Sequence, residues 1–281
     1  MIRTVKIRQV KALLMHLCML LAAGVMLSPL VILLSSSLRT PKNMVSPLNL
    51  FVELSLESYK TAFSRMNYLQ SFFNSVIITV LSVLAVVVLA GMASYPMARI
   101  KSRTAQFLYL FFLAGLVIPS QMVIVPIVQM LRDIHIPSGQ LTPVLLFITC
   151  SLPFSTFLYT GFIRSSVPEE LEEATYLDGA GLLIRYWKIV FPLIKPATVS
   201  VVITQGVWIW NDFFLNMIFV SKSSEQPLPL AMLGFMGDKQ NPTQWNILFA
   251  ACVLCALPLI GAFTLLQRQF IGGLTVGAVK G

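Results

Sequence analysis

Residues 168–192 read PEELEEATYLDGAGLLIRYWKIVFP. Local chemistry alone makes this stretch two short helices around a glycine turn. Pro168 suits the first position of a helix, where its missing N–H costs nothing. Glu169, Glu170, Glu172 and Glu173 follow, in the turns where the helix dipole favours negative charge. Ala174, Tyr176 and Leu177 carry the helix on. Asp178-Gly179 ends it, because glycine readily takes the left-handed conformation of a helix C-cap. A second segment, Leu182 to Val190, is amphipathic, with Arg185 and Lys188 among Tyr186, Trp187 and Ile189. Pro192 and Pro196 are expected to end it.

Outward from this stretch the chain is apolar. Of its 281 residues 57% are hydrophobic and 11% charged, with a mean hydropathy of +0.82, which leaves too little polar surface for a water-soluble globule. Apolar runs long enough to cross a bilayer predict six spans, at Ala12–Leu34, Phe72–Ala93, Ala105–Met130, Leu141–Ile163, Ala197–Val220 and Asn246–Leu266. The fold class expected is an all-α polytopic membrane protein. Thirteen Lys and Arg residues fall on one side, including Arg3, Lys6, Arg8 and Lys11, and seven on the other. The positive-inside rule then puts both termini in the cytoplasm and accounts for the net charge of +9 without nucleic acid. The first run exceeds a signal-peptide core and reads as a retained span, with cleavage as the alternative.

Between the first two spans, Leu56, Tyr59, Phe63 and Met66 recur at helical spacing. They predict a short amphipathic helix, read either as a packed cap or as a landing surface for an external partner. Pro119 and Pro126 in span 3 and Pro258 in span 6 predict bent helices. Cys18, Cys150, Cys252 and Cys255 all lie in apolar runs, and the Cys252/Cys255 pair reads as packing rather than redox or metal chemistry. The organisation expected is an arm, first span and outer loop over 1–71, a five-helix core over 72–267 with an inner loop at 164–196, and a cytoplasmic tail over 268–281.

That inner loop holds five of the eleven acids, on the side where loops are basic. Glu173-Ala174-Thr175, then Gly179, then Ile189 and Pro192 resembles the EAA signature of binding-protein-dependent ABC importer permeases. Thr175 replaces an alanine of that signature and Phe191 a leucine. Asn74-Ser75, Tyr95-Pro96-Met97-Ala98-Arg99, Ile118-Pro119, Trp210-Asn211-Asp212 and the Gly272–Gly281 tail look like the carbohydrate-uptake branch, nearest the six-span second permease of maltose-type systems. The resemblance implies a type I ABC importer permease fold in a bacterial inner membrane. It implies a second permease, two ATPase subunits or a homodimeric ATPase, and an extracytoplasmic solute-binding protein as partners. ATP and Mg would belong to the ATPase, with no cofactor in this chain. Glu173, Ala174, Thr175, Asp178, Gly179, Ala180, Ile189 and Pro192 would form the ATPase-coupling site.

Candidate pathway residues lie in span 5. Gln205, Asp212 and Asn216 are spaced by seven and four, near one face of a continuous helix, with Trp208 and Asn211 beside them. They read as a polar lining for a sugar, as helix–helix hydrogen bonding, or, for Asp212, as an ion pair near the outer interface. The sequence contains no phosphate-binding G-x-x-x-x-G-K-[ST], no H-E-x-x-H and no G-x-S-x-G, so an intrinsic enzyme activity is not expected. The function expected is a permease subunit for a sugar or oligosaccharide. A polyol or glycerol phosphate permease of the same fold and an ion-coupled secondary transporter are the alternatives.

Overall fold

The computed structural model describes residues 2–40, 54–177, 179–237 and 242–278. Every regular element among them is helical. Two compact units are formed, one from 1–68 with 232–256 and the other from 69–231 with 257–281.

In the first unit, α1 (Ile2–Ser37) carries exposed apolar side chains on every face from Leu13 to Val31. A helix apolar on every face needs lipid or another helix as its surroundings. At its end the chain turns polar and buried. The Tyr59 and Ser37 hydroxyls lie 2.8 Å apart, and Ser58 Oγ donates to the Arg39 carbonyl at 2.6 Å. Both Tyr59 and Ser58 belong to α2 (Glu57–Arg65). This helix is the expected one, but only part of the expected face is covered: Met66 is buried and Tyr59 half-buried. Ser58, Ala62 and Met66 are buried, whereas Leu56 and Phe63 are exposed. Ser58 and Ala62 take places on this face because small side chains let the helix reach the Arg39 carbonyl. Arg65 donates to Gln244 Oε1, and Asn246 to the Thr40 carbonyl, which ties the start of the last helix to this cap.

The second unit holds the main core. It is built on α3 (Tyr68–Arg99), α4 (Arg103–Gly115), α5 (Ile124–Asp133) and α6 (Leu141–Ser166). Ile78, Val86 and Ala90 of α3 pack with Phe147, Tyr159 and Ile163 of α6. Ser82 and Ser94 of α3, and Ser151, Ser155, Thr156 and Thr160 of α6, are buried as well. Short side chains of this kind let membrane helices approach closely, and Ser94 Oγ donates to the Thr156 carbonyl at 3.2 Å.

Span 3 is a broken pair. Between α4 and the segment Ser120–Asp133 the direction changes by 90°. Pro119 is extended (φ −64°, ψ 121°), and a proline disfavours helix in the residue before it, so α4 stops at Gly115. Pro126 falls in the first turn of α5, where its missing N–H is harmless.

After α6 come α7 (Glu169–Leu177), α8 (Leu182–Arg185), one π-helical turn (Tyr186–Val190) and α9 (Phe191–Leu193). Then α10 (Lys195–Asn211), α11 (Phe214–Phe219) and α12 (Leu228–Met232) lead to α13 (Trp245–Ala278). The chain from Ser224 to Leu228 is fastened by side chains of α3. Asn74 donates to the carbonyls of Ser224 and Gln226, Gln70 to that of Ser224, and Ser75 Oγ accepts the Leu228 N–H. Among the described residues, four helices are long and apolar enough to cross a membrane alone: Lys11–Ser37, Tyr68–Arg99, Leu141–Ser166 and Trp245–Leu265. Two bent pairs, one around Pro119 and one around Ile194, raise the number to six if each is a single span.

Candidate functional site

The acidic stretch folds as a helix, a glycine turn and a second helix. Val167 is extended (φ −104°, ψ 112°), so α6 ends there and Pro168 starts the new direction. Gly179 has φ +81°, a conformation that costs other residues about 1–2 kcal/mol. Its N–H reaches the Tyr176 carbonyl at 3.0 Å, and the Ala180 N–H reaches that of Thr175 at 3.1 Å. This pair of bonds is a Schellman cap, which satisfies carbonyls that the helix end would orphan. Asp178 lies outside the described residues.

The second helix is continuous from Leu182 to Leu193. Pro192 does not end it, contrary to the sequence expectation. A π turn precedes Pro192, with the Phe191 N–H on the Tyr186 carbonyl. Its carbonyls are already out of the α-helical register, so the proline ring is tolerated. The chain instead breaks at Ile194 (φ −87°, ψ 12°) and turns by 77° into α10. Pro196 opens α10 in its first turn.

Two anchors hold this loop. The first is Glu172, whose residue is 5% exposed among exposed neighbours. Its Oε1 accepts from Arg99 Nε at 2.8 Å and lies 2.8 Å from Arg99 Nη2; its Oε2 accepts from the Tyr95 hydroxyl at 2.8 Å. Arg99 Nη2 also donates to the Val167 carbonyl at 2.6 Å. Removing one partner of a buried, fully hydrogen-bonded pair costs about 3–5 kcal/mol. Beside it, Arg164 donates to the Met97 carbonyl, with its guanidinium 4.9 Å from the Tyr109 ring centroid.

The second anchor is Tyr186. It is buried against Tyr95, Trp187 and Phe191, and its hydroxyl occupies the space a side chain at Gly91 would need. Arg185 stacks over Tyr176 at 5.2 Å, joining the two halves of the loop.

Several apolar side chains of the loop are exposed. Leu177 is 84% exposed, and Leu171, Tyr176, Leu182, Leu183 and Ile184 are exposed with it. Of the residues singled out in the sequence, Glu173, Ala174, Gly179 and Pro192 are exposed, whereas Thr175, Ala180 and Ile189 are half-buried. The Thr175 hydroxyl turns back onto the Glu172 carbonyl at 2.9 Å.

Glu172, Arg99, Tyr95 and Tyr186 are the residues that sequence reasoning missed. Tyr95 and Arg99 stand one turn apart at the end of an apolar helix, which signals a buried acid partner. The neighbouring glutamates offer several candidates, and their spacing alone does not choose among them.

The polar residues of span 5 do not share one continuous helix. α10 stops at Asn211, and Asp212 is extended (φ −73°, ψ 123°). Its Oδ1 accepts the Leu215 N–H at 2.9 Å, and Asn216 Nδ2 donates to its carbonyl at 2.9 Å. Asp212 thus caps the start of α11, which re-aims the chain. Asn216 is buried, with no partner on its Oδ1. Gln205 is buried on α10, Trp208 meets Phe147 edge-on at 5.6 Å, and exposed Asn211 donates to the Val207 carbonyl.

Comparison with known proteins agrees with this architecture. The chain is 34% identical over 253 residues to the melibiose/raffinose/stachyose import permease protein MelC of Bacillus subtilis (strain 168), covering 90% of this chain and 91% of that one. It is 32% identical to the probable starch degradation products transport system permease protein AmyC of Thermoanaerobacterium thermosulfurigenes, over 90% of this chain and 92% of that one. Among solved structures, a bacterial ABC transporter involved in the import of the acidic polysaccharide alginate has a chain of the same fold. The TM-score is 0.81 at 17% identity, covering 93% of this chain and 97% of that one. Residues 87–275 match the binding-protein-dependent transport system inner membrane component, and the chain belongs to that family.

Proposed function

We propose that this chain is one of two permease subunits of an ATP-driven importer, and that it helps to pass a sugar or oligosaccharide across the bacterial inner membrane. The observation that carries the reading is the inner loop, where Leu171, Tyr176, Leu177, Leu182, Leu183 and Ile184 are exposed while Tyr186 is buried against Gly91. An apolar edge on a rigid support suits a protein partner better than water. The partner is an ATPase subunit, which supplies ATP and Mg. Each bent helix pair counts as one span, which makes six, with both termini inside. Carbohydrate is the cargo because the relatives are named for melibiose, raffinose, stachyose and starch products. An external binding protein delivers it. Trp208 and Asn211, exposed on α10, are the pathway residues this reading favours.

The test is reconstitution with a second permease, the partner ATPase and the external binding protein. Leu177→Asp and Leu183→Asp alter exposed side chains, so insertion is expected to be normal and ATPase association to fall by about tenfold or more. Full association in both variants would overturn the docking surface. Uptake that continues with an inactivated ATPase would favour an ion-coupled carrier. A polyol or glycerol phosphate found in the binding protein would reassign the cargo and leave the rest intact.

A further inference from the structure

The clamp formed by Glu172, Arg99 and Tyr95 lies apart from the exposed edge, and its geometry asks for its own explanation. It joins residues 73 positions apart in the chain, one at the end of α3 and one in α7. Both carboxylate oxygens of Glu172 are occupied, and the Arg99 side chain is 12% exposed. Charge-assisted bonds of this kind hold one arrangement and resist bending. Arg99 also grips Val167, the residue at which α6 ends, and has Glu169 of the same loop at 3.7 Å. A single guanidinium therefore fastens the end of α3, the α6–α7 connection and α7 together. The exposed Glu173, one residue on, makes no such link among the described contacts.

We infer that Glu172 and Arg99, supported by Tyr95, are positioning residues of the transport cycle: the clamp makes α7 move as one body with α3. A displacement imposed on the exposed edge then reaches the helix that carries much of the core, instead of being absorbed at the Val167-Pro168 bend. A lever transmits motion only if both ends are held, and coupling of this sort needs an element that moves between discrete arrangements. The inference rests on the exposed edge being the ATPase dock.

The experiment uses the full transporter in proteoliposomes with Glu172→Gln, Arg99→Gln and Tyr95→Phe. Three quantities are read: ATPase association, ATP hydrolysis and solute transported per ATP. For Glu172→Gln and Arg99→Gln, association is expected to stay within about twofold while transport per ATP falls by about tenfold. Tyr95→Phe removes one of the bonds and is expected to lose less. A cysteine pair at 99 and 172, in a variant lacking the other four cysteines, joined by a short bifunctional thiol reagent, is expected to restore the ratio. Unchanged transport per ATP, association lost in step with transport, or a cross-linked pair that stays uncoupled would each overturn the clamp. Failure of the docking reading shows separately, as ATPase retained by both Leu177→Asp and Leu183→Asp.

Discussion

Asp212 shows how the backbone reveals a role that the sequence does not advertise. In the sequence it is a carboxylate inside an apolar run, which invites a role in ion or solute passage. In the structure its Oδ1 bonds the Leu215 N–H, the work of a helix cap. Asparagine caps as well as aspartate, and alanine in place of either costs about 1 kcal/mol. Asp212→Asn is therefore expected to keep thermal stability and uptake close to the unaltered protein, and Asp212→Ala to lower both. Loss of uptake in a stable Asp212→Asn variant would give the charge a role in passage. Another residue of note is His135, at φ +58°. Its N–H bonds the Arg132 carbonyl, while the Ile136 N–H bonds that of Leu131. This is the same cap that Gly179 makes, on a residue whose type does not advertise it.

At the scale of elements, the loop and α3 meet through a notch. Alanine normally stabilises a helix relative to glycine by about 1 kcal/mol. At Gly91 the sign reverses, because the added methyl would overlap the hydroxyl of Tyr186, whose ring is wedged among Tyr95, Trp187 and Phe191. Overpacking of this kind costs about 1–3 kcal/mol. Gly91→Ala is expected to lower the unfolding temperature in detergent, and Tyr186→Phe added to it to recover part of the loss. No loss in the single variant would mean that the ring has room to move. The bends obey similar logic. Pro119 was legible as a bend, but the 90° turn lets α4 pack on α6 while Ile124, Ile127, Val128 and Leu131 of α5 pack on the main core. Pro192 was legible as a stop and is none, because the π turn before it had already shifted the bonding register.

For the whole molecule, the first helix is the clearest surface statement. Its Val25 and Met26 are 73% and 78% exposed, so α1 relies on lipid or a neighbouring subunit for its surroundings. Orientation is argued from thirteen basic residues against seven. Fluorescent reporters fused to either end are expected to fold in the cytoplasm. A cysteine placed at exposed Ser223, in a cysteine-free variant, is expected to react with a membrane-impermeant reagent from outside. Labelling only after the membrane is opened would invert the topology.

The amino-acid sequence by itself determined the class of the protein, its long helices, the glycine turn at Gly179 and the family signature. These follow from local properties: apolar length, helix end chemistry and fixed spacing along the chain. Tertiary structure decided which glutamate is buried, which face of α2 packs, where span 5 breaks and which edge of the loop stays bare. Glu169, Glu170, Glu172 and Glu173 are chemically alike, and only the position of Arg99 in space distinguishes one of them. Pairing across 73 residues depends on how α3 and α6 pack, and periodicity along the chain carries no record of it.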